Sequence, residues 1–224
     1  MKRFLRDNGL SLTFGLLFLL SLVGQAIAGH VDFNNRQLAD GGATVTFWSY
    51  LTSSEYAVDV TENWQSEYLQ FFVFVYATVW LIQRGSPESK MPKSVGPESD
   101  KEQQLGRHVT DQSPRWAKAG GWRTTLFSNS LGLMMALLFV LSWFAQSVAG
   151  LTAYNSEQLA QFEDPVSWGE YLVAADFWNR TLQNWQSEFL AIGSMVVLSI
   201  YLRQRGSPES KPVGAAHVIT EESG

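Results

Sequence analysis

Asn63, Ser66 and Glu67 follow one another at helical spacing, and Asn184, Ser187 and Glu188 repeat the group. Gln25 and Gln146 stand near the far ends of the apolar runs that precede each group. Asn63 and Glu67 are one turn apart, so a helix places them on one face. A carboxylate, an amide and a hydroxyl held together at the edge of an apolar layer could bind an ion or pass a proton. The same groups could simply hydrogen-bond one helix to the next, as small polar side chains do in membranes. A relay would need further ionisable groups at greater depth, and residues 10–28, 69–82, 131–149 and 190–202 contain no Asp, Glu, Lys, Arg or His. The expected role of the cluster is therefore structural.

Other chemistry has little to rest on. The chain has no Cys, and its three His stand at positions 30, 108 and 217, too scattered for a metal cluster. There is no nucleophile elbow, P-loop, dinucleotide glycine motif or HExxH, so no catalytic, cofactor-binding or metal-binding residue is assigned, no cofactor is expected, and the protein is read as a non-enzyme. Basic residues between the apolar runs alternate with acids, which argues against a nucleic-acid partner.

The elements that must position the cluster follow from the distribution of charge. Over 224 residues the hydrophobic share is 46%, the charged share 17% and the mean hydropathy -0.06, an average suited to a soluble protein. The average hides four apolar windows with nearly all charges between them, the pattern of membrane spans. Sliding the chain against itself by 121 residues aligns 5–90 with 126–211 without a gap, and 35 of the 86 positions are identical. The blocks NWQSE at 63–67 and 184–188, and QRGSPESK at 83–90 and 204–211, are the same in both copies. The expected fold is all-α: a polytopic membrane protein with four transmembrane helices, arranged as two tandem two-span repeats with short outer interfacial helices. The domains are a first repeat at 1–92, a flexible cytoplasmic linker at 93–121, a second repeat at 122–212 and a disordered cytoplasmic tail at 213–224. Residues 1–28 resemble a signal peptide ending in a small-x-small site, but the same segment recurs internally, so it is expected to stay attached as a span.

Lys and Arg set the orientation. Fourteen lie before the first span, in 84–123 or from 203 onward, whereas 30–67 and 150–188 hold only Arg36 and Arg180 against six acids each. Both termini and the linker should face the cytoplasm. Trp64 and Trp185 begin the second and fourth spans as interface anchors, and Arg84 and Arg205 end them about 20 residues later. Small residues at four-residue spacing, Ser11 with Gly15 and Gly24 with Ala28, match Gly132 with Ala136 and Ala145 with Ala149, and point to packing between spans one and three or against another protomer. In the outer segments, Asp164-Pro165 reads as a helix start, with the next helix starting near Asp176. The repeated signature contains Gly85 and Gly206, suited to a left-handed helix end, and Pro87 and Pro208, which block continuation. Local stop chemistry accounts for 83–87 but not for Glu88, Ser89 and Lys90 recurring. A cytoplasmic docking or Ser-Pro phosphorylation motif is the other reading.

The opening KRFLRDNGLSL, WGEYL at 168–172, NWQSEFL at 184–190 and LRQRGSPESKP at 202–212 together resemble a bacterial family of four-span integral membrane proteins classed as a domain of unknown function. FWSYL at 47–51 departs from WGEYL and lacks an acid matching Glu170. The resemblance implies a bacterial inner (plasma) membrane location and brings no activity or substrate. The expected function is a structural or partner-binding membrane component whose partners are the lipid bilayer and a second copy or another membrane protein. A small transporter or channel of two parallel repeats is the rival.

Overall fold

The computed structural model describes residues 2–220; Met1 and residues 221–224, the end of the expected tail, lie outside the described residues. Among the described residues the chain is helical and contains no strand. In order the helices are α1 (Lys2–Asp7), α2 (Gly9–Ala39), α3 (Phe47–Leu51), α4 (Ser54–Trp80), α5 (Gly121–Ser128), α6 (Ser130–Ala160), α7 (Trp168–Tyr171) and α8 (Ala175–Tyr201). Two of them, α2 and α6, are long and apolar enough to cross a membrane. Each has 31 residues and runs well past its uncharged window, because polar residues such as Gln37 and Gln158 keep the helical repeat after the apolar ones end. Large apolar side chains along α2, among them Leu10, Phe14, Leu17, Leu20, Val23 and Ile27, are exposed.

Contacts divide the chain into two units. The first is Met1–Val60 with Ala145–Tyr171. Here each long helix turns into a short one through a connector held by one asparagine. Asn34 Oδ1 accepts from the Val45 amide at 2.8 Å while its Nδ2 donates to the Val45 carbonyl at 3.1 Å. Asn155 brackets Val166 in the same way, at 2.8 and 2.9 Å. These two-way bonds satisfy the amide and carbonyl of a connector residue that no helix pairs. Each connector then buries a tyrosine: Tyr50 is 2% exposed and Tyr171 1%. The hydroxyls press on Gly29 and Gly150, where a side-chain carbon would collide with them. Around Tyr50 stand the rings of His30, Phe33 and Tyr56, with centroids 5.5 to 5.9 Å away. Burial, and then the Asp59 carboxylate, push the Tyr50 hydroxyl up to about 12.

The helix ends before the connectors differ. Gly41 adopts φ 77° after α2 and Phe162 φ 62° after α6, and in both turns the next residue's amide donates back to the helix, Gly42 to Gln37 at 2.7 Å and Glu163 to Gln158 at 2.8 Å. Glycine takes this left-handed position without strain; phenylalanine does not. The start of α7 also departs from expectation. Asp164-Pro165 lies in a non-helical stretch, and the cap is a box in which Ser167 Oγ accepts from the Glu170 amide while Glu170 Oε2 accepts from the Ser167 amide at 2.7 Å. A reciprocal box satisfies two amide donors at once, which a single Asp cap does not. The Ser167 hydroxyl, which donates to Glu170 Oε2 at 2.7 Å, and then the Ser167 amide hold the Glu170 carboxyl below its ordinary range.

The second unit is Thr61–Phe144 with Leu172–Gly224. Trp143 lies among Phe139, Phe177, Trp178 and Trp185, at centroid distances of 5.4 to 6.1 Å. Gly132 receives the ring of Tyr76 from α4; a side-chain carbon there would lie 2.6 Å from it. The small residue at 132 thus seats a ring of α4, whereas among the described residues nothing lies within 4 Å of where a side chain would begin at Gly15 and Gly24. Residues 91–120 fold as a series of turns with one 3-10 helix, Gly106–His108.

Candidate functional site

In the second unit, α4 and α8 are joined by a ladder of polar contacts. At its first rung Arg180 lies 3.3 Å from Glu62 on α4 and 3.4 Å from Asp176 on its own helix. At the second, Trp185 Nε1 donates to Gln65 Oε1 at 2.8 Å, and Gln65 is fully buried. At the third, the buried Ser66 hydroxyl donates to the Asn63 carbonyl at 2.8 Å, and its oxygen lies 3.4 Å from Glu188 Oε1. The last rung is Gln70. With its amide turned so that nitrogen faces the acids, it lies 2.7 Å from Glu188 Oε2 and 3.3 Å from Glu67 Oε2. Carboxylates from both helices therefore converge on one amide donor.

The expected cluster is only partly this ladder. Ser66 and Glu188 meet directly, and Glu67 joins them through Gln70. Asn184 Nδ2 donates to the Arg180 carbonyl at 2.9 Å, and the Ser187 hydroxyl to the Asn184 carbonyl at 2.8 Å, so both bond within their own helix. Asn63, Glu67 and Ser187 are exposed. Gln25, half-buried, and Gln146, fully buried, belong to the first unit. Of the anchors, Trp185 is tied to Gln65, while Trp64, Arg84 and Arg205 are exposed. Glu62, Gln65, Gln70 and Arg180 were missed. Gln65 was within sight as part of the duplicated NWQSE, Gln70 as the residue one turn beyond Ser66, and Arg180 as the one base among six acids in 150–188.

A second constellation is the repeated signature, and its two copies fold alike. In the first, the Gln83 amide donates to Ser89 Oγ at 2.8 Å and the Ser86 amide to the Gln83 carbonyl at 3.1 Å, with Gly85 at φ 89°. In the second, the Gln204 amide donates to Ser210 Oγ at 2.9 Å and the Ser207 amide to the Gln204 carbonyl at 3.1 Å, with Gly206 at φ 81°. The lysine then fixes the chain that follows: Lys90 Nζ donates to the Gly96 carbonyl at 3.2 Å, and Lys211 Nζ to the His217 carbonyl at 3.0 Å. Both following segments bond back to a helix end, Gly96 through its amide to Val79 at 2.8 Å and His217 through Nδ1 to the Ile200 carbonyl at 3.0 Å. Ser89 and Lys90 thus have structural work beyond the glycine and proline of the stop. Burial, and then the neighbouring Glu209 carboxyl, hold Glu88 above the ordinary carboxylate range.

Among the described residues no three His, Cys, Asp or Glu side chains gather into a metal-binding group. No curated protein and no solved structure matches the chain. A family match, by contrast, runs over residues 1–222, nearly the whole sequence. The chain belongs to the family described as Domain of unknown function (DUF6766).

Proposed function

We propose that this chain is a non-enzymatic integral protein of a bacterial inner membrane, built as two tandem two-span repeats, with both termini and the 93–121 linker in the cytoplasm and a structural or partner-binding role. The observation that carries this reading is where the polar ladder stops. Beyond Gln70, α4 continues through Phe71, Phe72, Val73 and Phe74, and the Thr78 hydroxyl bonds back to the Phe74 carbonyl of its own helix at 3.0 Å. A static seam between helices needs polar contacts at one level only; a conducting path needs them at every level. The exposed apolar length of α2 and the matching lengths of α2 with α6 and of α4 with α8, 31 and 27 residues, support the span and repeat assignments. Topology is tested with cysteines introduced singly at Ser94 and Ser53 of the Cys-free chain. An impermeant thiol reagent should reach the Ser53 variant, not the Ser94 variant, in intact cells, and the reverse labelling refutes the assignment.

A transporter of two parallel repeats has one observation in its favour, the convergence of Glu67 and Glu188 on Gln70. Ion or proton flux in proteoliposomes that Glu67→Gln and Glu188→Gln abolish without loss of thermal stability would establish it in place of the structural reading.

A further inference from the structure

The bases just before α6 have aromatic company and no acidic partner. Arg115, Lys118 and Arg123 fall in a stretch, 112–156, that contains no Asp or Glu, and all three are exposed. Among the described residues none of them forms an ion pair; Lys118 Nζ donates to a backbone carbonyl, that of Asp111, at 2.7 Å. The chain itself therefore does not neutralise these charges.

The rings beside them are also left open. Trp122, in the first turn of α5, is 66% exposed and Trp116 45%, although their centroids lie 6.2 Å apart, edge to face. Named bonds build this pairing. The turn 114–119 closes through the Ala117 and Ala119 amides, which donate to the Pro114 and Trp116 carbonyls at 3.0 and 3.3 Å. Thr124 Oγ1 of α5 donates to the Trp116 carbonyl at 2.9 Å and so holds Trp116 back beside Trp122. Arg123 lies over the Trp122 ring, its Cζ 5.6 Å from the centroid, and Leu126, one turn along α5, adds a third exposed apolar side chain.

Indoles with bases at their edge suit a membrane–water boundary, where the rings enter the headgroup layer and the cations meet phosphates. The place of the patch agrees. α5 ends at Ser128, and α6, long and apolar enough to cross a membrane, begins at Ser130.

We propose that residues 115–126 form a lipid-binding foot of α6, its rings lying in the headgroup layer and its three bases selecting anionic phospholipid over neutral. An acidic protein would meet the charges but gives no reason for the patch to stand at the start of an apolar helix. The proposal rests on α6 crossing a membrane, as proposed above, and not on which side the linker faces.

Full-length protein in vesicles of phosphatidylcholine, alone or with about one-quarter phosphatidylglycerol in both leaflets, tests it. Ala119→Cys, exposed between the two tryptophans in sequence, carries an environment-sensitive dye; Leu137→Cys, exposed along α6, is the control. At about 0.1 M salt, acrylamide should quench the dye at 119 about threefold less with phosphatidylglycerol than without. Raising salt to about 1 M, where the screening length falls to about 3 Å, should erase most of that difference. Arg115→Gln, Lys118→Gln and Arg123→Gln together should abolish it, and Trp116→Ala with Trp122→Ala should leave the dye quenched in both lipids. With the Leu137 dye shielded in both vesicles, equal quenching at 119, or a difference that the triple variant keeps, would overturn the proposal. Shielding at 119 that follows the protein-to-lipid ratio would assign the patch to a second copy and overturn it too. A Leu137 dye open to acrylamide in both vesicles would refute α6 as a span, and this proposal with it.

Discussion

The stretches 29–50 and 150–171 carry the same lock, whereas the α4 and α8 faces, made from an identical NWQSE block, do not behave alike. In the connectors Asn34 and Asn155 bracket Val45 and Val166, and Tyr50 and Tyr171 seat on Gly29 and Gly150. Along the α4–α8 ladder, Ser66 is buried against Glu188 while Ser187 is exposed and bonded to its own helix, and Gln65 is buried while Gln186 is exposed. The difference lies in where the bonds close. An interaction completed within some 20 residues is reproduced wherever those residues recur; one completed between the two stretches gives each member a different neighbour.

The connector locks should give the largest response. Asn155→Leu removes both bonds to Val166 and takes the partner from a half-buried amide and carbonyl, a loss of about 3 kcal/mol at most. Asn34→Leu should cost about 2 kcal/mol, because His30 Nε2 stays 2.8 Å from the Val45 carbonyl, where the second connector has Leu151. Thermal unfolding in detergent would show the order. Equal losses would mean that His30 gives no support.

Next in size is the contrast between Gly41 and Phe162. Phe162 is 99% exposed and left-handed, so its ring gains no packing to offset the backbone strain. Phe162→Gly should therefore stabilise the chain by about 1 kcal/mol, and Gly41→Phe should destabilise it by a similar amount. A Phe162→Gly variant that melts lower would show that the ring is anchored by something other than this chain.

The ladder predicts asymmetry where the connectors predict likeness. Ser66→Ala should cost about 0.6 kcal/mol, the average for a hydrogen bond between helices in membranes, and Ser187→Ala nothing measurable. Matching losses at the two positions would mean that the NWQSE blocks are equivalent after all.

Much of this was legible in sequence, for the same reason that the connectors agree. Helical period and charge place α2, α4, α6 and α8 in the right order, although α2 and α6 run 11 residues past 28 and 149 and α4 starts ten residues before Trp64; the expected start near Asp176 falls one residue from that of α8. The recurrence of Asn34, Tyr50 and Gly29 at 155, 171 and 150 is visible as identity, although only coordinates show what each holds. The start of α7 was misplaced, since Asp164-Pro165 and Ser167-Glu170 are both good caps and nothing local ranks them. The ladder was the least legible part. Which serine, Ser66 or Ser187, faces across depends on how one helix rotates against another, and identical blocks carry no information about that.

The smallest effect belongs to the signatures, where the comparison can be reversed by pH. The bonds that close within each signature are duplicated, but the approach of Glu88 to Glu209 is made between them, and it disfavours the ionised form of Glu88. Burial first, and then Glu209, raise Glu88 above 4.5. For a carboxyl shifted upward the contribution to stability is fully present below the unfolded value and is lost as pH rises through the folded value. Glu88→Gln supplies the N–H donor permanently, without a proton that can leave. At pH 7.5 it should therefore stabilise the chain, after screening at this half-exposed site, by on the order of 0.5 kcal/mol or less. At pH 4 the unaltered chain is protonated there and the two should melt together. Unfolding curves measured from pH 4 to 8 would show the gap opening with rising pH. A variant less stable than the unaltered chain at pH 7.5 would mean that ionised Glu88 has a favourable partner in the folded chain.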